Sequence, residues 1–143
     1  MKSSERGIRK LELQVARSVL ETVVAHARAA HPAECCGLLL GTGGVVLEAA
    51  GTRNIAEHPA RFLIDPKNHI DRRRAARDRG LDVLGFYHSH PHSAAQPSER
   101  DLAEATYPDH LYLIVGMEAE PPEVQLFVLQ DGNFRAVPFV TVD

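Results

Sequence analysis

Between Gly85 and Asp101 the chain reads GFYHSHPHSAAQPSERD: an apolar run ends in two histidines, and an acid follows eleven residues after the second. This stretch constrains the fold more than any other. The apolar run needs cover on both faces, and His88 and His90, two apart on a strand, must emerge on one side with alpha carbons about 6–7 Å apart. Two imidazoles held that way can share a metal ion. Taken alone, an H-x-H pair in a chain with eight histidines is weak evidence. Ser98-x-x-Asp101 alone reads as a capping box, the serine accepting from a first-turn amide and the acid answering from the third helical position.

The remaining segments supply a sheet and helices to hold this stretch. Ile8, Leu11 and Leu13 suggest a short first strand, and Val15, Val19, Val23 and Ala27, widened by Leu20 and Val24, form the stripe of a helix running to about Ala30. His31-Pro32 stops it. CCGLLLG and VVLEAAG, separated by Thr42-Gly43-Gly44, read as a hairpin with a buried first strand. Phe62-Leu63-Ile64 is read as a strand. Asp65-Pro66 starts a helix that runs to about Arg79 and ends at Gly80. Leu81 to His90 is the next buried strand, Ser98 to Thr106 a short helix, and HLYLIVG, EVQLFVLQ and FRAVPFVTV an antiparallel meander. With no repeat and no linker, residues 1–143 are expected to form one α+β domain with a single sheet flanked by helices.

A chain of 143 residues, 44% hydrophobic, suits one domain. The formal charge of -3 gives no global reason to expect nucleic-acid binding. MKSSERGIRK resembles neither a signal peptide nor an anchor, and no window approaches the roughly 18 uncharged apolar residues of a spanning helix. No membrane association and a cytoplasmic location are therefore expected. The only two cysteines, Cys35 and Cys36, are adjacent, too close for ordinary disulfide geometry, which fits a reducing compartment.

Two imidazoles and one carboxylate leave the fourth position of a tetrahedral zinc ion open, the composition of a catalytic site and not of a structural one. Zinc acidifies water to a pKa of about 7, and a nearby group must then accept the proton. Glu34, immediately before the apolar run CCGLLLG, is the candidate; alone it would read as a solvated charge at a strand end.

Glu34, the run Cys36-Gly37-Leu38-Leu39-Leu40-Gly41, then His88-Ser89-His90-Pro91, six residues, and Ser98-Glu99-Arg100-Asp101 together resemble the JAMM motif of the MPN-plus (JAB) zinc metalloisopeptidases. The resemblance implies that His88, His90 and Asp101 bind Zn²⁺, that Glu34 is the general base, and that Ser98 stabilises the oxyanion, with Ser89 and Pro91 in support. It also implies a curved mixed or antiparallel sheet between helices, the cytidine-deaminase-like JAMM/MPN fold. The short length and the ECCGLLLG opening resemble the small bacterial branch. That branch includes peptidases that release cysteine from the C-terminus of a ubiquitin-like sulfur carrier protein, a step of cysteine biosynthesis. The implied partner is such a carrier with a Gly-Gly tail.

Three other readings stand beside this one: a general, deubiquitinase-like isopeptidase, a non-catalytic MPN scaffold, and a cysteine protease using Cys35 or Cys36. The last conflicts with the apolar run in which both thiols sit. The arginine-rich helix (Arg72, Arg73, Arg74, Arg77, Arg79) reads first as a solvated face laced with Asp71, Asp78 and Asp82, and second as a dock for an acidic carrier. His92 is assigned to an exposed loop, and His26, His31, His58, His69 and His110 to surface or capping positions. Arg53 and Asn54 read as turn residues that could instead line a groove. A homodimer is left open.

Overall fold

A strand covered on both faces has to lie in the interior of its sheet, and the histidine-bearing segment does. The computed structural model describes residues 12–143. Strand β1 (Leu13–Ala16) leads into helix α1 (Arg17–Ala30), followed by the hairpin β2 (Cys36–Thr42) and β3 (Val45–Thr52), helix α2 (Pro66–Asp78), strand β4 (Asp82–His90) and the short α3 (Glu99–Glu104). Strands β5 (Leu111–Gly116), β6 (Glu123–Gln130), β7 (Asn133–Ala136) and β8 (Phe139–Val142) complete the chain. The eight strands form one sheet in the order β7-β6-β5-β4-β2-β3-β1-β8. It is mixed: β4 runs parallel to β5, and β1 parallel to both β3 and β8, while the other pairs are antiparallel. Strands β7 and β8 occupy opposite ends of the sheet yet are joined by two residues, so the sheet must curl until its edges approach.

One face is covered by α1, whose buried stripe of Val19, Val23 and Ala27 packs with Val15, Leu39, Tyr87, Leu113 and Val115. The other face gathers Leu38, Leu40, Ala76, Phe86, Tyr112 and Leu129. Helix α2 starts as its residues dictate: the Asp65 carboxylate accepts from Lys67 N at 2.9 Å, Pro66 follows, and Gly80 takes φ +77° beyond the last turn.

The structure departs from the sequence expectations in several places. Ile8 and Leu11 lie outside the described residues. Val15 belongs to β1 and not to the helix, because β1 finds parallel partners on both sides, one of them from the far end of the chain. Phe62-Leu63-Ile64 is not a strand; Ile64 makes a single bridge to Asn54. FRAVPFVTV is not one strand of a meander. Pro138 has no N–H to donate and interrupts it, so only β5, β6 and β7 form the meander while β8 crosses to the other edge. The helix expected over Ser98–Thr106 is shorter, with Ser98 and Ala105 as its caps.

Gly85 carries the close approach of β4 to β5. A Cβ there would sit 2.1 Å from the backbone oxygen of Leu111, whereas one at Gly43, in the β2–β3 turn at φ +58°, would meet nothing within 4 Å. Gly85→Ala should therefore cost about 3 kcal/mol or more by overpacking, and Gly43→Ala about 1 kcal/mol through its left-handed backbone. Urea unfolding checks this; equal costs would contradict the packing at Gly85.

Candidate metal centre

The apolar body of β4 buries its neighbours and delivers His88 and His90 to the sheet end on one face, with only 3% and 8% of their surface exposed. Their Nε2 atoms lie 3.2 Å apart. Asp101 closes the triangle: Oδ1 is 3.2 Å from His88 Nε2 and Oδ2 is 3.0 Å from His90 Nε2. The donor atoms of all three residues lie within 4.8 Å of one another. A tetrahedral cation with bonds of about 2.0–2.1 Å needs donors roughly 3.3 Å apart, so the triangle fits one. The tautomer of His90 also suits a metal. Its Nδ1–H donates to Ala94 O at 2.9 Å, which leaves Nε2 facing the triangle, where it donates to Asp101 in the metal-free chain and would give its lone pair to a bound metal.

Asp101 reaches this position from the first turn of α3. The capping-box reading and the metal-ligand reading of Asp101 do not exclude each other, because its carboxylate serves both. Its Oδ2 accepts from Ser98 N at 2.9 Å while Ser98 Oγ accepts from Asp101 N at 3.0 Å, a complete capping box. Burial would raise the Asp101 pKa, but hydrogen bonds from His88 and His90 outweigh it and hold the carboxyl well below its ordinary range. Burial lowers His88, while for His90 the opposing bonds to Asp101 and Ala94 prevail over burial and raise it.

Glu34 lies two residues before β2. The β2–β4 ladder ends where Cys36 faces His88; beyond it Glu34 N donates to Pro59 O at 3.3 Å, and Glu34 lines the same groove as His90. Buried Ser89 locks the juncture, its Oγ accepting from Cys35 N at 2.9 Å while Ser89 N donates to Cys35 O at 3.2 Å. The Glu34 carboxyl is pushed from 4.5 up to about 7, chiefly by burial, with His90 opposing. The cysteines are not nucleophiles in waiting. Both are free and buried, and burial raises the Cys35 thiol to about 11 and Cys36 in the same direction.

Two residues carry more than the sequence indicated. Asn54, read as a turn residue, uses both ends of its amide. Its Nδ2 donates to Glu34 O at 3.0 Å and Arg61 O at 3.1 Å, and its Oδ1 accepts from Ala56 N at 3.0 Å and Leu63 N at 2.9 Å. One side chain thus ties the 55–63 loop to the backbone of Glu34. Phe62, carried by that loop, stacks on the His88 ring at 4.3 Å between centroids. An Asn followed by a Pro-containing loop was the available signal for the first; for the second there was none.

Phe62 also stands between two grooves that meet at the histidines. One, of about 770 Å³, is walled by Ile55, Leu63, His69, Phe86, Tyr107 and Phe134. The other, of about 470 Å³, is lined by Glu34, His90, Ser98, Arg100 and Glu104. His69 is therefore a groove residue, and His26, with Nδ1 2.7 Å from the Tyr87 hydroxyl, is a partly buried partner of the core; neither is the surface or capping residue expected. His31 and His58 do occupy such positions, His110 is instead half-buried against Phe86 and Tyr107, and exposed His92 packs edge-on against His31. Among the arginines of α2 and its end, Arg72 donates to Gly51 O, Arg73 bonds His69, and Arg79 pairs with Glu48.

The triangle can be checked without any substrate. Titration with Co²⁺ should give the intense visible bands of tetrahedral coordination, saturating at one ion per chain and lost in Asp101→Ala. Weak octahedral bands, or binding that survives the substitution, would contradict the assignment of donors.

A model of the prokaryotic homologues of the JAB domain matches residues 16–130. The chain is 35% identical to a desampylase of Haloferax volcanii over 109 residues, covering 71% of this chain and 78% of that protein. It is 29% identical to a CysO-cysteine peptidase of Mycobacterium tuberculosis over 134 residues, 92% of each. The crystal structure of a JAB1/MPN domain protein from Archaeoglobus fulgidus superposes with a TM-score of 0.63 at 25% identity, covering 92% of this chain and 98% of that one. The family model spans most of the chain, including every residue of the candidate centre, and the chain belongs to the prokaryotic JAB-domain family.

Proposed function

We propose that this chain is a zinc-dependent peptidase that hydrolyses the bond following the C-terminal Gly-Gly tail of a ubiquitin-like sulfur carrier protein. The observation that carries the reading is the triangle of His88, His90 and Asp101 with the Glu34 carboxyl in the groove beside it, which puts metal donors and a candidate base in one site. Two nitrogens and one carboxylate in a tetrahedral arrangement suit zinc. The substrate class rests on similarity to proteins named desampylase and CysO-cysteine peptidase. The free thiols of Cys35 and Cys36 suit a reducing cytoplasm.

When bound by His88, His90 and Asp101, zinc supplies Lewis acidity toward water and toward negative charge on a carbonyl oxygen. The protein's own residues move the protons. Glu34 takes one from the attacking water as the water oxygen bonds to the carbonyl carbon. As the C–N bond breaks, Glu34 passes that proton to the departing nitrogen, leaving a carboxylate on the tail and a free amine. Ser98 Oγ already accepts from Asp101 N, so its hydroxyl proton is free to be donated to the oxyanion. No covalent intermediate is needed.

Similarity to a desampylase favours a second reading, cleavage of a lysine isopeptide between two proteins. Comparing a carrier that bears one extra C-terminal residue with the same carrier joined to a lysine separates the two.

Glu34→Gln should lower kcat by about 10³-fold while leaving zinc bound; activity retained would contradict the base. Burial raises the Glu34 pKa in the metal-free chain and a zinc ion nearby lowers it again, so activity of the loaded enzyme should fall on the acid side wherever Glu34 is protonated. The same raised pKa has a sign for stability. The folded chain holds a proton that the unfolded chain has lost between pH 4.5 and 7, so metal-free protein loses stability as pH rises through that window. Metal-free Glu34→Gln should accordingly melt above the parent at pH 8, with a smaller gap at pH 5. A gap that does not depend on pH would contradict the buried carboxyl.

A further inference from the structure

The two grooves are not equivalent with respect to the proposed base, and the difference orients the scissile bond. Glu34 lines the polar groove and not the apolar one, and His90 and Ser98 share that placement. His88 lines the apolar groove and not the polar one, while Asp101 and Phe62 border both. The group that returns a proton to the departing nitrogen must stand on the departing side. The amine half of the substrate therefore leaves through the polar groove, and the acyl tail lies in the aromatic one.

The polar groove carries two guanidinium groups, Arg100 on its wall and Arg61 at the boundary with the apolar groove. Among the described residues neither forms an ion pair, whereas Arg17, Arg28 and Arg79 are each matched to an acid. Four acids, Glu34, Glu99, Asp101 and Glu104, line the same groove, the last two shared with the apolar one, and none forms an ion pair with either arginine. Guanidinium forks are suited to carboxylates, which they can bind through two parallel hydrogen bonds. A free carboxylate placed instead among Ile55, Leu63, Phe86 and Phe134 would lose its hydration without compensation.

We infer that the polar groove binds the α-carboxylate of a single amino acid at the leaving position, through Arg100 and Arg61, so that the enzyme prefers a carrier ending in one extra residue over a carrier joined to a lysine side chain. This rests on the peptidase reading above and adds to it what the leaving half must look like. Arg100 and Arg61 are specificity residues in this scheme; the proton transfers remain with Glu34.

The test uses zinc-loaded full chain and three synthetic tail peptides. One ends in Gly-Gly-Ala as the free acid, one in Gly-Gly-Ala amide, and one carries Gly-Gly on a lysine Nε. Loss of charge-assisted hydrogen bonds should raise KM for the amide and for the lysine peptide by roughly tenfold or more relative to the acid. In Arg100→Gln and Arg61→Gln that preference should shrink toward unity through a higher KM for the acid, and Arg100→Lys should restore part of it. Equal KM for acid and amide in the parent, or a preference that survives both glutamine variants, would overturn the inference while leaving the peptidase reading intact. Cleavage of none of the three would instead bring down the peptidase reading, and this inference with it.

Discussion

Two imidazole nitrogens face each other across 3.2 Å in a nearly dry site. Two lone pairs or two protons there repel, and the rings pair directly only when one donates to the other. Asp101 is the third party, bridging both rings through its two oxygens. Much of the surrounding structure serves to keep that arrangement in place. The capping box fixes Asp101, Ala94 O bonds Nδ1 of His90, Phe62 packs on the ring of His88, and Ser89 pins Cys35, the residue after Glu34. A carboxylate shared by two imidazoles is what a divalent cation would find already assembled.

The curled sheet explains why the centre sits where it does. Strand β4 is paired with β2 as far as His88 and with β5 as far as His90, and its C-terminal end opens where the parallel strand β5 also stops. The chain leaving β4 folds back over β5, where a Cβ on Gly116 would lie 2.3 Å from Ala95 N. That return places α3 beside the histidines. The loop after β3 closes the other side, held by the four hydrogen bonds of Asn54. The result is a rigid donor triangle bordered by two short segments, with one greasy and one charged approach.

How much of this was legible in the sequence depended on range. The cap at Asp65, the terminator at Gly80 and the buried strand before His88 are local signals, and the structure has them within a residue or two. Val15 could not be assigned correctly from its neighbours, since its strand exists because Val140 and Thr141 arrive from more than a hundred residues away. The split of residues 133–142 between two sheet edges is likewise a property of the closed sheet, with Pro138 as the one local clue. Within the site, the histidine pair was readable by its period of two. Glu34 was readable by resemblance alone, because the β2–β4 pairing that brings it into one groove with His90 joins segments more than fifty residues apart. Asn54 and Phe62 act through side-chain geometry that no pattern of polarity encodes.

Hydrolysis of a carrier protein's tail by these residues is read out by intact-mass spectrometry of ubiquitin-like carriers incubated with the zinc-loaded chain, alongside a chelated control. A carrier whose mass falls by one C-terminal residue, with no change after chelation, is the expected result. Carriers and their conjugates left unchanged while the protein demonstrably holds zinc would contradict it.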